Sequence, residues 1–380
     1  MKEPTLFSER AGRPRQSSFP NHAALVLLVV LLVLKVVAAQ DSDSLYGTHG
    51  VNPQAVRQGT LGSCYFHASI ASLAKTAPGT LRSSISQSSD GGYRVRFFDG
   101  PEEAVYPQDV QFGRTHGYDR SDGEWVLVLM RGYAQRTLRA TLVDTVEHTS
   151  LIPIFARPVV LSWLDRSGPL LVAYDRAIRS VVGQNGYMDK TALQKGLAGQ
   201  LGALGIPAAE AQMLGGFLDD QGFFAALAHT VQQNGEVFGA YAGMGQGGIP
   251  ERVMRAILGS GGTDAVANRG PLAEQLRRLH AGRAVVVAGT YSTSENKGYD
   301  HTGWWVPNHA FSVLDYDEGS QTVRMRNPWG THPDPDGSFT LPIAVFVHAY
   351  EFYSYSESPA QNAGVRSGPA VESRASEATQ

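Results

Sequence analysis

The stretch Gln58-Gly-Thr-Leu-Gly-Ser-Cys64-Tyr-Phe-His-Ala-Ser-Ile-Ala-Ser-Leu73 changes character in its middle. Before Cys64 it holds two glycines and small polar residues, the composition of a turn. After it, Ala68, Ile70, Ala71, Leu73 and Ala74 follow a mixed helical spacing, and Pro78-Gly79 ends the run. That pattern predicts a buried helix starting near the cysteine. Cys64 is the only cysteine in the 380 residues, which excludes a disulfide scaffold and a Cys-based zinc site. What remains is an inert buried thiol or a reactive one. A helix N-terminus favours reactivity, because its backbone N–H groups and dipole stabilise a thiolate and lower the pKa from the free value of ~8.5. Gln58 can bring a side-chain NH₂ back over the thiol and, with the Cys64 N–H, form an oxyanion hole.

A nucleophilic thiol needs a base, and the base an orienter. Far downstream lie Asn308-His-Ala-Phe-Ser-Val313 and Arg324-Met-Arg-Asn-Pro-Trp-Gly330. His309 opens an apolar, strand-like run, and Asn327 closes the next one before a Pro-Trp-Gly turn. Strands are predicted at Arg283–Thr290, Ala310–Tyr316 and Thr322–Arg326. Adjacent antiparallel pairing of the last two would set imidazole beside amide, and Cys–His–Asn is a nucleophile, base and orienter set of thiol proteases.

These three segments resemble the motifs of calpain-type cysteine proteases of the papain-like superfamily, in family order, over roughly 52–140 and 237–356. The resemblance implies an α+β fold: a papain-like core of a helical subdomain and a β-rich subdomain with the active site in the cleft. It implies Cys64 as nucleophile, His309 as base, Asn327 as orienter and Gln58 as oxyanion donor. Gly62, Ser63, Tyr65 and Trp329 would line the cleft, Trp329 covering the His–Asn hydrogen bond. Ser63 stands where the family usually has Asp, and Tyr65 where it has Trp. The family's calcium-binding acids are replaced at Ala55 and Thr331, with Asp334 and Asp336 as alternative oxygen ligands. No cofactor is required on this reading; Ca²⁺ is possible but not supported by the retained acids, and no metal ligand is assigned.

Outward from these motifs the organisation follows composition. Residues 1–22 carry Lys2, Arg10, Arg13 and Arg15 against Glu3 and Glu9, and the run from Ala23 is apolar to Leu34. Small residues at Val37 and Ala39 complete a secretory signal pattern, so 1–39 reads as a signal peptide, with an uncleaved signal anchor as its rival. Either way the body is extracytoplasmic, touching a membrane only through 23–39 if uncleaved. Residues 40–140 form the nucleophile-bearing half of the protease core. Residues 141–236, rich in Ala, Leu and Gly, read as a helical insertion; 237–356 carry His and Asn, and 357–380 read as a disordered tail. Residues 93–110 look like short strands, Trp125–Gln135 and Pro271–His280 like helices, and Gly243, Gly245 and Gly248 like a flexible loop. His67, one turn after Cys64, reads as a packed or partly exposed residue without a role.

The net charge is −3, with 32 basic and 35 acidic residues. This gives no reason to expect a nucleic-acid partner; the expected partners are protein or peptide substrates. The expected activity is that of an exported endopeptidase working through a thioester. Two alternatives stay open: a catalytically inactive calpain-like binding module, and a transglutaminase-like acyltransferase using the same triad.

Overall fold

The computed structural model describes residues 45–148, 240–245, 247–291, 304–331 and 333–358, with isolated positions between 158 and 200. The chain divides after Leu45, and the unit described below runs from Tyr46. The leader 1–39, the tail from 359 and nearly all of the 149–236 segment lie outside the described residues.

The architecture is α+β. A 3₁₀ turn at Pro53–Ala55 leads into α1 (Cys64–Thr76) and α2 (Pro78–Ser83). A small antiparallel sheet follows, of β1 (Ile85–Gln87), β2 (Tyr93–Val95) and β3 (Glu103–Val105) in that order. Next come α3 (Pro107–Thr115) and α4 (Trp125–His148). Further along the chain, α5 (Ala240–Gly245) and α6 (Pro250–Leu258) precede β4 (Gly262–Ala265) and α7 (Arg269–His280). The chain then runs through β5 (Ala284–Gly289), β6 (Ala310–Asp317), β7 (Thr322–Arg326), β8 (Ser338–Pro342), α8 (Ile343–Ala349) and β9 (Phe352–Glu357). The larger sheet is antiparallel throughout, in the order β4-β9-β5-β6-β7-β8.

The sheet places the site because both its faces are covered. Every residue of β5 is buried, which its unbroken run Ala284-Val-Val-Val-Ala-Gly289 anticipates. Val286 and Ala288 join Phe311 and Val313 in a core with Leu272, Leu276 and Leu279 of α7. Truncating one such leucine to alanine costs about 2–5 kcal/mol. On the opposite face packs α1. Ser312 Oγ donates to Ala68 O at 2.9 Å, and Ser72 Oγ donates to Val286 O at 2.9 Å. Two serines thus dock the helix onto neighbouring strands and set where its N-terminus lies.

Two expectations need correction. Residues 93–110 are not strands throughout, since Pro107 at a first-turn position starts α3. The glycine-rich stretch after 240 is not all loop. It contains α5 and α6, and α6 buries Val253, Met254 and Ile257 before Gly259, at φ +83°, ends it in the left-handed conformation. The boundary placed at 140/141 falls inside α4, which extends well beyond Gln135. Glu103 of β3 fastens α4 to the small sheet, with Arg139 Nη2 donating to Glu103 Oε2 at 2.7 Å.

Candidate active site

The loop before α1 is held by backbone pairing. Gln58 bridges Asp119 in antiparallel fashion, Gly59 N donates to Tyr118 O and Thr60 N to Gly117 O. Contact is so close that a Cβ on Gly59 would stand 1.9 Å from Gly117 O, and one on Gly62 would stand 2.5 Å from Gly245 O. Both glycines are therefore needed for backbone approach, whatever their torsions. Gln58 N also donates to Pro328 O at 2.8 Å, tying this loop to the Asn327 turn. Arg326, fully buried, reinforces the tie by donating from Nη2 to Val56 O at 2.6 Å and from Nε to Asp336 O at 2.9 Å.

Cys64 is the first residue of α1 and half-buried. Its sulfur is reached by the backbone N–H groups of Ala310, Tyr65 and Cys64 itself. The contact with Ala310 brings the thiol to the first residue of β6, beside His309. Burial pushes the Cys64 thiol up, and the three N–H groups oppose this without prevailing. The thiolate-favouring helix terminus expected from the sequence is present, but desolvation outweighs it.

His309 is anchored through its backbone. Its N–H donates to Thr290 Oγ1 at 3.1 Å, and its carbonyl accepts from Thr290 N at 3.0 Å. Asn308, at φ 50°, turns the chain through the left-handed region just before it, a conformation asparagine tolerates. The imidazole Nε2 lies 3.1 Å from Asn327 Oδ1, which also accepts the Trp329 N–H at 3.1 Å. A flipped Asn327 amide would set donor against donor at Trp329, so Oδ1 faces both groups and Nε2 carries the proton. In the neutral ring Nδ1 is then the acceptor. Trp329 lies over the imidazole with ring centroids 4.8 Å apart, and Phe311 meets it edge-on at 4.8 Å. Burial pushes the imidazole down to about 4, against the opposing pull of Asn327. Thiol and imidazole therefore both rest neutral at neutral pH.

The other residues singled out in the sequence divide. Gly62 is exposed and Trp329 partly so. Ser63 and Tyr65, expected to line the cleft, are buried instead. Ser63 turns its Oγ inward to Leu61 O and His67 Nδ1 and makes no capping bond to α1, while Tyr65 lies against Gly248. Gln58 is buried, and its Nε2 donates to Leu61 O at 2.7 Å, leaving the second N–H of that amide for another acceptor. Thr290, Arg326 and the buried pair His67–Asp119 were not anticipated. Their roles depend on partners between 10 and 270 positions away, which no local pattern encodes. Asp336 Oδ1 accepts Ser338 N and Oδ2 accepts Ser338 Oγ, and among the described residues no group of three His, Cys, Asp or Glu is arranged to hold a metal. Among the described residues no helix is long and apolar enough to cross a membrane.

No protein-family model matches the chain, and no curated protein matches it. Among the solved structures that match, that of PepW from Lactobacillus rhamnosis HN001 aligns over 80% of this chain and 80% of its own at 12% identity, with a TM-score of 0.29. At that score the likeness carries no argument about fold or chemistry.

Proposed function

We propose that the chain is a papain-like, calpain-type cysteine endopeptidase, exported by its N-terminal segment, that hydrolyses peptide bonds through Cys64, His309 and Asn327. The observation that carries this reading is the imidazole of His309, bonded through Nε2 to Asn327, covered by Trp329, and adjacent to the residue whose N–H meets the Cys64 sulfur. Because thiol and imidazole rest neutral, proton transfer accompanies attack. As Cys64 Sγ bonds to the carbonyl carbon, His309 Nδ1 takes the thiol proton. The Cys64 N–H and the second N–H of Gln58 hold the oxyanion. His309 Nδ1–H then protonates the leaving nitrogen as the C–N bond breaks, giving a thioester. Water attacks that thioester and yields its proton to Nδ1; the C–S bond then breaks, freeing the carboxylic acid, and the leaving thiolate takes the proton back from Nδ1–H. Asn327 keeps Nε2 protonated and the ring oriented throughout.

The test is hydrolysis of a fluorogenic peptide-amide library by the full-length chain and by its Cys64→Ala form. Cleavage by the wild type and its loss in the variant, by about 10⁵-fold or more, are expected. Appreciable cleavage by Cys64→Ala, or none by the wild type, would sink the assignment. The raised thiol supports a second reading, a binding module that has retired its chemistry. That reading gains if the wild type cleaves nothing and Cys64 is alkylated only at pH well above the free-thiol value of ~8.5.

A further inference from the structure

Directly beneath the nucleophile lies a second buried imidazole to which the chemistry above gives no task. His67 and Asp119 side chains are 0% and 2% exposed, and His67 Nε2 is 3.0 Å from Asp119 Oδ1. On its other side, Nδ1 is 3.0 Å from Ser63 O and 3.1 Å from Ser63 Oγ. Asp119 Oδ1 also accepts Ser121 Oγ at 2.6 Å. Burying such a pair costs solvation that apolar side chains would not. The location gives it a purpose. Ser63 is the residue before Cys64, so the imidazole grips the first turn of α1. Asp119 is the antiparallel bridge partner of Gln58. The contact therefore joins the two segments that carry the Cys64 N–H and the Gln58 amide.

We infer that His67 and Asp119 are positioning residues that set the spacing between the two oxyanion donors, Cys64 N–H and Gln58 Nε2–H, without touching substrate or thiol. This rests on the protease reading above. Donor placement matters only where an oxyanion forms, and a shift of about 1 Å can cost about 10²-fold. Haloacetamide alkylation of Cys64 is a displacement at saturated carbon and forms no oxyanion, so it reports the thiol alone.

The full-length chain is compared as wild type, His67→Phe and Asp119→Asn, with kcat and KM for a fluorogenic peptide amide, the rate of Cys64 alkylation by iodoacetamide, and thermal unfolding. In His67→Phe, kcat should fall about 10- to 100-fold, with KM and the alkylation rate nearly unchanged. Asp119→Asn keeps an oxygen acceptor for the imidazole N–H and should restore most of kcat. An unchanged kcat in His67→Phe would overturn the inference. So would alkylation falling in step with kcat, since the pair would then act on the thiol or the fold. Should His67→Phe fail to fold, Asp119→Ala, which leaves the imidazole without its carboxylate, is held to the same outcomes. Failure of the protease reading looks different: a wild type that cleaves no peptide, which removes the inference with it.

Discussion

His309 and His67 both lie near the Cys64 segment, and both are buried. His309 reaches one neutral amide through Nε2, and no hydrogen bond of the described residues occupies its Nδ1. His67 is engaged at both ring nitrogens, by Asp119 on one side and Ser63 on the other. An imidazole with an open nitrogen can accept a proton during a reaction; one tied at both nitrogens can only hold geometry. Their surroundings differ in the same sense. His309 is boxed by Trp329 and Phe311 at the start of β6, with Trp329 38% exposed and so able to meet a ligand. His67 sits inside the junction of α1 with the 117–119 segment. Burial alone therefore does not distinguish the two imidazoles, whereas their hydrogen-bond partners do.

The sharpest way to break this contrast is to remove each ring. His309→Ala should lower hydrolysis by about 10⁴- to 10⁶-fold, far beyond the loss expected at His67. Similar losses at the two positions in steady-state kinetics would erase the distinction. Asn327→Ala should fall between them, near 10²- to 10⁴-fold, because it removes orientation and leaves nucleophile and base in place. An unchanged rate would mean that another group orients the ring.

Acid stability sharpens the comparison next. Burial lowers the His309 pKa to about 4, from an ordinary value of ~6.5. Between those values the unfolded chain binds a proton that the folded chain refuses, so stability contributed by this site is present above ~6.5 and is lost as pH falls toward 4. The loss amounts to at most about 3 kcal/mol, because a tenfold change in proton affinity is worth about 1.4 kcal/mol. Urea unfolding at pH 7 and pH 4.5 should show the decline, and His309→Phe, which cannot titrate, should flatten it. A decline of the same size in His309→Phe would place its origin in other groups.

The smallest expected effect is at the cover. Trp329→Ala admits water to the imidazole, so the His309 pKa should climb from about 4 toward its ordinary range, read from the pH titration of the ring's NMR signal. Hydrolysis at neutral pH should fall about tenfold as the His–Asn hydrogen bond is exposed to solvent. No movement of the titration would mean that Phe311 and the sheet alone keep the ring dry.

Much of this was legible in the sequence where the signal is local. The helix at Cys64–Thr76, the buried run of β5, and β6 and β7 follow from spacing and turn residues, because hydrophobic period and punctuation are properties of neighbours along the chain. So does the order of Gln58, Cys64, His309 and Asn327. The α-helical content after residue 240 was hidden by glycines, which depress helix propensity until tertiary packing overrides it. Strand β9 was also hidden. Phe352-Tyr-Ser-Tyr-Ser-Glu357 lies near the end of the described chain, yet it pairs between β4 and β5 in the interior of the sheet.

Sequence by itself determined which residues bear reactive atoms and which elements carry them. Tertiary structure alone decided the electrostatics and the company they keep. It raised the Cys64 thiol although a helix N-terminus lies beneath it, because desolvation depends on everything packed around a sulfur and not on its neighbours in the chain. It turned Ser63 and Tyr65 inward, and it brought Asp119 to His67 across 52 positions. Such contacts are made by folding distant segments together, and their energies arise only when that has removed the water between them.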